Sequence, residues 1–244
     1  MLEVRGLTKN FGALRATDNI DFDVAEGETH AVIGPNGAGK TTFISQLAGN
    51  LRPDAGSVRF AGEDVTRLPA HARARKGLAR SFQITSVFPD FSALHNVALA
   101  VQAQLGSGGF WRPAQRDPAL LEPARALLGE VGLGARLNAL AANMSHGEHR
   151  QLEVAMALAT RPRLLLLDEP MAGMGTEESQ RMIGLLQKLK QTRTIILVEH
   201  DMDAVFRLAD RISVLVYGRV IATGKPEEIR VNQEVRRAYL GEDD

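Results

Sequence analysis

Gly34-Pro35-Asn36-Gly37-Ala38-Gly39-Lys40-Thr41-Thr42 is a glycine-rich stretch that ends in a lysine and two threonines. Its spacing matches G-x-x-x-x-G-K-[ST], a loop whose glycines let consecutive backbone N–H groups turn inward around a phosphate chain. The preceding residues 28–33 have the pattern of a buried strand, and Thr41 to Ala48 have the pattern of a helix that Gly49 closes. A strand, a glycine-rich turn and a helix N-terminus in this order predict a nucleotide site.

Two side chains of this loop are expected to contact the bound nucleotide and its metal ion. Lys40 would reach the β- and γ-phosphates. The Thr41 hydroxyl would take one place on a magnesium ion that otherwise keeps mostly water and phosphate oxygens as ligands. The alternative is a glycine-rich turn that fits the motif by chance, and the flanking strand and helix argue against it.

The composition is that of a globular chain without net charge. Its 244 residues, 44% of them apolar, suffice for one large domain or two lobes. Lys+Arg and Asp+Glu number 29 each, so no net field favours nucleic acid or an anionic membrane surface as a partner. The lack of cysteine excludes disulfides and thiolate metal sites and fits a reducing cytosol.

Neither a membrane span nor a secretion signal is expected from the sequence. The longest apolar runs, 164–167 and 195–198, are strand-sized and far below the ~18 residues that a spanning helix needs. The N-terminal residues 1–5 lack the basic-then-apolar pattern of a secretory signal. We therefore expect any membrane role to come through a partner.

The pattern of strands and helices changes twice along the chain. Short strands and one helix are predicted from Leu2 to Phe60, and Ala- and Leu-rich helices from about Phe91 to Ala159, with a Gly-rich loop at 106–113. Strand patterns then return. The clearest predicted strands are 20–24, 57–60, 163–168, 194–199 and 211–217, and the clearest helices are 119–130 and 148–160. This order predicts a helical lobe inserted into an α/β domain.

Two consecutive carboxylates follow a predicted buried strand. The leucines 164–167 run into Asp168-Glu169-Pro170, which places both acids at the C-terminal end of the strand, where α/β sheets bind ligands. Asp168 would hold magnesium, usually through water, and Glu169 would polarise the water that attacks the γ-phosphorus. A solvated acidic turn is the alternative, which the phosphate-binding loop upstream makes less favourable.

The segment Met144-Ser145-His146-Gly147-Glu148 stands just before a predicted helix and upstream of these carboxylates. Because the phosphate-binding loop, this segment and the two carboxylates follow one another in this order, the chain resembles the ATP-binding-cassette (ABC) ATPases. The signature segment of that family lies between its phosphate-binding loop and its carboxylates. The resemblance implies that Ser145 and Gly147 contact the γ-phosphate bound by a second subunit, so that two sites form only in a head-to-tail dimer. His146 replaces the family's usual first glycine, and Glu148 replaces its usual glutamine.

Further residues match the family's pattern along nearly the whole chain. The resemblance implies that Phe11 stacks on adenine, that Gln83 contacts magnesium or water and senses a transporter partner, and that His200 holds the γ-phosphate. Taken alone, a Phe, Gln or His of this kind would have no such meaning. Gly175 stands where many relatives carry an aspartate, so communication across the dimer is expected to use backbone there.

The resemblance also implies the fold and its divisions. The expected class is α/β, with a P-loop NTPase (RecA-like) core, an N-terminal antiparallel β-subdomain and an inserted α-helical subdomain. The chain would form a single ABC ATPase domain over 1–244. The nucleotide-binding core would comprise 1–83 and 160–244, and the helical subdomain would comprise about 84–159. The expected cofactors are ATP and Mg²⁺.

Three segments resemble the ATP-binding subunits of branched-chain amino-acid importers. They are the Phe82-Gln83 junction, the insertion near Gly106 to Pro118, and the ending from Arg237 to Glu242. Such a subunit works at the cytoplasmic face of the inner membrane, beneath two permease subunits that a periplasmic binding protein feeds. It pairs with a second ATPase subunit as a homodimer or heterodimer, and the cargo would be branched-chain amino acids or related small polar solutes.

Other functions remain open at this point. Residues 68–77 and the closing Tyr-Leu-Gly-Glu-Asp also resemble the ATPase of lipopolysaccharide export. A soluble P-loop enzyme, such as a small-molecule kinase, lacks the signature segment. A non-transport cassette acting on nucleic acid would usually add a second cassette, a coiled coil or basic extensions, and the balanced charge gives no such indication.

The residues directly after Gln83 are expected to form the docking surface for a membrane partner. Val87, Phe88 and Phe91 are apolar and lie near Pro89 in what is otherwise the pattern of a surface loop. Exposed apolar patches commonly mark protein interfaces. The alternative is that these side chains pack the small core of the helical lobe.

Overall fold

A mainly parallel sheet forms the centre of the chain in the computed structural model, which describes residues 1–81, 87–105 and 117–240. Across the sheet the strands are β10 (Arg219–Gly224), β9 (Arg211–Val216), β3 (Thr29–Ile33), β8 (Thr194–Val198), β7 (Leu164–Asp168) and β6 (Leu78–Arg80). Only the β10–β9 pair is antiparallel among these described strands. Both faces are covered, which explains the unbroken apolar runs of β7 and β8.

Alternate residues of β7 belong to two different apolar cores. Leu165 and Leu167 contact one core, and Leu164 and Leu166 contact the other. This alternation follows from the two-residue repeat of a strand. The parallel sheet therefore separates these two cores, and β7 ends in Asp168, directly before Glu169, at the C-terminal edge of the parallel strands.

The first layer is an antiparallel sheet with a helix between it and the parallel sheet. Its strands are ordered β2 (Leu14–Val24), β1 (Leu2–Phe11), β4 (Ala55–Phe60) and β5 (Glu63–Asp64). Helix α1 (Lys40–Ala48) buries Phe43, Ile44 and Leu47 in the core that both sheets share. The expected N-terminal antiparallel β-subdomain is confirmed, and α1 leads directly out of the glycine-rich stretch.

Helices cover the second core, and those that lie between β6 and β7 in the sequence form one inserted segment. It consists of α3 (Ala93–Leu105), α4 (Pro118–Glu130), α5 (His146–Ala159) and two short 3-10 turns, Gly134–Arg136 and Ala141–Asn143. Leu128 of α4 and Leu152 of α5 share a core with Leu165 and Leu167 of the sheet. The remaining helices are α2 (Ala70–Arg75), α6 (Thr176–Leu189), α7 (Met202–Leu208), α8 (Pro226–Val231) and α9 (Gln233–Leu240).

The predicted α/β class with an inserted helical segment is confirmed, and most element bounds differ from the expected ones by one or two residues. The N-terminal strands are longer than expected, because β1 and β2 form one hairpin across a two-residue turn. The division of the core and the helical subdomain at 83/84 and 159/160 stays a prediction. Within the described ranges, no helix is both long and apolar enough to span a bilayer.

Several predicted features lie outside the described residues. These are Gln83 with the Phe82-Gln83 junction, the first part of the proposed docking segment (84–86), most of the insertion (106–116) and the last four residues, 241–244.

Candidate nucleotide-binding site

The glycine-rich stretch forms a tight loop between β3 and α1. A Cβ atom on Gly34 would lie 2.0 Å from the carbonyl oxygen of Leu215, and one on Gly39 would lie 2.1 Å from the carbonyl oxygen of Ala16. Gly39 also has φ 99° and occupies the N-cap of α1, where it supplies no side-chain hydrogen bond. Because no side chain caps α1, its first backbone N–H groups are available to an anion.

Lys40 is buried against the loop that it follows. Its Nζ donates to the carbonyl oxygens of Gly34 at 2.7 Å and Pro35 at 3.0 Å. Burial lowers the pKa of the Lys40 ammonium, and the nearby carboxylates of Glu169 and Asp168 act in the opposite direction. The ammonium is thus held at the mouth of the loop, close to two acidic side chains.

Asp168 has one paired and one unpaired carboxylate oxygen. Its Oδ2 accepts a hydrogen bond from Arg80 Nη2 at 2.7 Å, and Arg80 also donates to Ser45 Oγ of α1 at 3.1 Å. Its Oδ1 is buried and finds no hydrogen-bond partner among the described residues. Burial of a carboxylate oxygen without a partner costs free energy, so Asp168 Oδ1 fits the role of acceptor for a water bound to a metal ion.

Glu169 and His200 meet across the ends of neighbouring strands. The Glu169 backbone N–H donates to the Val198 carbonyl oxygen at 2.9 Å, and Glu169 adopts a left-handed backbone conformation with φ 51°. His200 Nε2 lies 2.6 Å from Glu169 Oε1, at hydrogen-bond distance with the Nε2–H tautomer as donor. A non-glycine residue in this conformation costs free energy and is frequent at functional sites.

Most of the predicted site residues line one cleft. The cavity measures about 430 Å³, and its lining residues are Phe11, Leu14, Arg15, Ala16, Asn36, Gly37, Ala38, Gly39, Lys40, Thr41, Thr42, Glu169, His200 and Tyr217. Phe11 is 49% exposed there, which suits a ring that receives a ligand rather than one that fills the core. A groove of this size, with a phosphate loop at its base, can hold a nucleotide.

Two residues in or beside the cleft were not predicted from the sequence. Tyr217 lies in the β9–β10 turn, is 88% exposed and has φ 46°, and its neighbour Gly218 donates to the Ala38 carbonyl oxygen at 2.9 Å. Glu199 is buried, and its carboxylate accepts the N–H groups of Met171 at 2.9 Å and His200 at 3.0 Å. Burial raises the pKa of the Glu199 carboxyl, and these hydrogen bonds oppose the rise.

The signature segment lies away from this cleft. Ser145 and Gly147 line a second cavity of about 490 Å³, and the described residues of the two cavities do not overlap. Ser145 is the N-cap of α5, and its Oγ accepts the Glu148 N–H at 3.2 Å. The Glu148 carboxylate in turn accepts a hydrogen bond from the Ser145 N–H at 2.9 Å and pairs with Arg136 at 2.8 Å.

His146, which replaces the family's usual first glycine, also contacts a residue outside the signature segment. His146 Nε2 lies 2.8 Å from the carbonyl oxygen of Ala172, within hydrogen-bond distance for an N–H donor. Ala172 belongs to the segment between β7 and α6 that ends at Gly175, the N-cap of α6. The histidine therefore connects the signature to the segment that follows the carboxylates, within one chain.

A phosphate loop, a strand ending in two carboxylates, a histidine beside the second carboxylate and a separate capped signature helix define an ATP-binding cassette. The ABC transporter family model matches residues 17–172, and the chain belongs to this family of ATPases. A second model, for branched-chain amino acid ATP-binding cassette transporters, matches residues 219–244.

Full-length relatives agree with this membership. The chain is 40% identical to the high-affinity branched-chain amino acid transport ATP-binding protein BraF of Pseudomonas aeruginosa, over 99% of this chain and 98% of that protein. It is 38% identical to the corresponding protein LivG of Salmonella typhimurium, with the same coverage. The chain also matches a nucleotide-free ATP-binding cassette from an ABC transporter at 27% identity, with a TM-score of 0.87 over 99% of both chains. A cassette in its ADP conformation matches with a TM-score of 0.86 and 26% identity, again over 99% of both chains.

Proposed function

We propose that this chain is the ATP-hydrolysing subunit of a membrane importer for branched-chain amino acids or related small polar solutes. The observation that carries the proposal is the near full-length similarity to high-affinity branched-chain amino acid transport proteins. The match of residues 219–244 to the branched-chain family model supports the same cargo class. Both favour an importer over the lipopolysaccharide exporter and the soluble ATPase that the sequence left open.

ATP would bind in the cleft with its phosphates on the loop 34–42. The Phe11 ring, half exposed, would stack on adenine, and Lys40 would leave its own loop carbonyls for the β- and γ-phosphates. Mg²⁺ would be held by Thr41, by Asp168 through water, and by Gln83 directly or through water, and it would neutralise phosphate charge. The unpaired Asp168 Oδ1 supports this assignment.

Glu169 would act as the general base of hydrolysis. Its carboxylate lines the cleft beside Lys40 and can accept the proton of a water aligned with the γ-phosphorus. His200 would orient this carboxylate through their 2.6 Å contact before ATP binds, and its Nε2–H would turn to the γ-phosphate once ATP is bound. In this mechanism the single N–H donor of the histidine serves the base in the free subunit and the phosphate in the loaded one.

Two copies of such a cassette would complete each other's sites. Ser145 and Gly147 line a cavity separate from the cleft of Lys40 and Glu169, so one chain alone does not place all four residues on one phosphate. A head-to-tail arrangement brings the signature of one subunit to the phosphate loop of the other. The second subunit would be a further copy or a different ATPase subunit.

The membrane partner would dock beside the helical layer. Phe88 is 51% and Phe91 39% exposed, and their ring centroids lie 5.4 Å apart, whereas Val87 packs against the core. Buried Asn96 supports the loop, because its Oδ1 accepts the Phe88 N–H at 2.8 Å and its Nδ2 donates to the Phe88 and Phe91 carbonyl oxygens. The Asn96 side chain thus fixes the loop in a conformation that exposes both aromatic rings to solvent, as expected for a protein–protein interface.

This arrangement predicts separate effects on transport and hydrolysis. Phe88→Ser should abolish ATP-driven uptake in the assembled complex, because it removes an aromatic anchor from the docking surface. Basal ATPase activity and the melting temperature of the isolated subunit should stay nearly unchanged, because the ring is half exposed. Val231→Ser, at a 71% exposed position of α8, is the matched control and should leave uptake intact. A large fall in melting temperature for Phe88→Ser would show that the ring belongs to the core.

The proposed function itself is tested by reconstitution at the cytoplasmic face of a membrane. The chain would be assembled with two permease subunits and a paired cassette, and uptake of labelled leucine, isoleucine and valine would be measured with a periplasmic binding protein present. ATP-dependent uptake is the expected result. Lipopolysaccharide release from the same membranes, without amino-acid uptake, would support the exporter instead.

A further inference from the structure

A carboxylate of the same chain lies against the signature segment. Ser145 Oγ donates a hydrogen bond to Glu178 Oε1 at 3.1 Å. A Cβ atom on Gly147 would lie 2.7 Å from both Cδ and Oε1 of Glu178, so the carboxyl group also contacts the backbone at Gly147. Glu178 therefore touches the two residues to which the proposed function assigns the γ-phosphate of the partner subunit.

The position of Glu178 resembles that of a bound anion. It lies at the N-terminus of α5, where the helix dipole and the hydroxyl of Ser145 favour negative charge. The other carboxylate at this end, Glu148, is paired with Arg136 at 2.8 Å. Among the described residues Glu178 forms no ion pair, and its carboxylate accepts the hydrogen bond of the Ser145 hydroxyl, the group to which the proposed function assigns the partner's phosphate.

A phosphate and this carboxylate cannot both bind the signature. Two like charges at contact distance repel strongly in a partly desolvated interface, and Ser145 has a single hydroxyl proton to donate. The carboxylate can turn into the adjoining cavity of about 490 Å³, where Arg181, one helical turn further along α6, lines the wall. Glu178 can therefore move aside without unfolding of α6.

The same part of the chain holds the signature at a second point. His146 contacts the Ala172 carbonyl oxygen at 2.8 Å, and a Cβ atom on Gly173 would lie 3.1 Å from His146 Nε2. Residues 172–178 follow directly after the carboxylates of β7, so the two contacts attach the signature to the segment that leaves the catalytic strand. A change at that strand end can reach the signature through this segment.

We propose that Glu178 is an internal competitor for the partner's γ-phosphate and raises the free-energy cost of ATP-dependent dimerisation. This inference rests on the proposed shared site and adds its regulation. In a single subunit the carboxylate satisfies Ser145 and Gly147, and in the dimer the phosphate replaces it. The chain then associates only when the phosphate contacts exceed those of its own carboxylate.

The test is the strength of the dimer in a hydrolysis-blocked background. Glu169→Gln and Glu169→Gln/Glu178→Gln proteins would be compared by sedimentation at saturating ATP, each alone and with the paired cassette. Removing the charge while keeping the side-chain volume should lower the dimer dissociation constant by about tenfold. The matched control is Glu227→Gln in the first turn of α8, which makes the same charge change at an exposed side chain outside the cavity beside the signature.

The possible outcomes separate the inference from the proposed function. An unchanged or weaker dimer with Glu178→Gln would overturn the inference and would make Glu178 a support of the signature. Equal strengthening by Glu227→Gln would show that the effect is one of net charge, and it would also overturn the inference. If the Glu169→Gln protein itself fails to associate with ATP in either pairing, the shared site is wrong and the inference falls with it.

Discussion

The Glu169→Gln protein is expected to bind ATP at least as tightly as the unchanged protein and to hydrolyse it about 10³-fold more slowly. An amide cannot accept the proton of the attacking water, so the catalytic step loses its base. The amide oxygen can still accept the hydrogen bond from His200 Nε2, which lies 2.6 Å from Glu169 Oε1, and the geometry of the cleft is kept. Loss of a negative charge beside the phosphates also favours ATP binding.

The measurements are the turnover rate at saturating Mg²⁺-ATP and the dissociation constant for ATP in the absence of turnover. Lys40→Ala is the contrasting variant, because it removes the ammonium that would neutralise phosphate charge and should weaken nucleotide binding itself. A Glu169→Gln protein that hydrolyses ATP at the unchanged rate would show that another group is the base.

The parts of the site that depend on local pattern could be predicted from the sequence. The loop 34–42 and the strand β7 with the carboxylates at its end are each defined by consecutive residues. The structure places them together because β3 and β7 lie on either side of β8 and all three parallel strands end at the same edge. Phe11 and His200 were assigned by resemblance alone, and both line the cleft. Their roles in binding and hydrolysis stay predictions.

The contacts made by the unusual signature residues depend on distant partners. Glu148 pairs with Arg136, His146 contacts Ala172, and Ser145 contacts Glu178, which is 33 positions away in the sequence. No periodicity or spacing in the sequence relates these pairs, because they meet only when the turn at Gly134–Arg136, the segment after β7 and the first turn of α6 pack around the N-terminus of α5. The tertiary structure was needed to find them.

Arg73 belongs to residues 68–77, a segment in which the sequence indicates only a family resemblance. Its helix, α2, is short, and its pattern of alternating alanine and arginine is typical of a solvated surface. In the structure Arg73 is 1% exposed. Its Nη1 donates to the carbonyl oxygens of Gln46 and Leu47, at 2.7 Å each, in the last turn of α1. A cation at a helix C-terminus is favourable, so Arg73 binds the far end of the helix whose N-terminus forms the phosphate site.

The remaining donors of Arg73 hold the segment before α2. Nε donates to the Leu68 carbonyl oxygen at 3.0 Å, and Nη2 donates to that of Thr66 at 2.9 Å. Burial lowers the pKa of the guanidinium to about 10, so it remains charged at neutral pH. One side chain thus supplies hydrogen bonds to four backbone carbonyl groups from two parts of the chain.

Replacement of Arg73 by Met is therefore expected to lower the free energy of unfolding by about 3–4 kcal/mol, because Met fills much of the volume but leaves these carbonyl groups without their donor. Arg73→Lys should lose about half as much, since an ammonium keeps the charge but lacks the planar fork that reaches all four oxygens. Urea unfolding followed by far-ultraviolet circular dichroism measures both values. Arg75→Met, at an exposed position of the same helix, is the control and should change stability by less than about 0.5 kcal/mol. If Arg73→Met and Arg75→Met unfold at the same urea concentration, the four hydrogen bonds do not hold α1 in place. Their favourable free energy would then only offset the cost of desolvating the guanidinium.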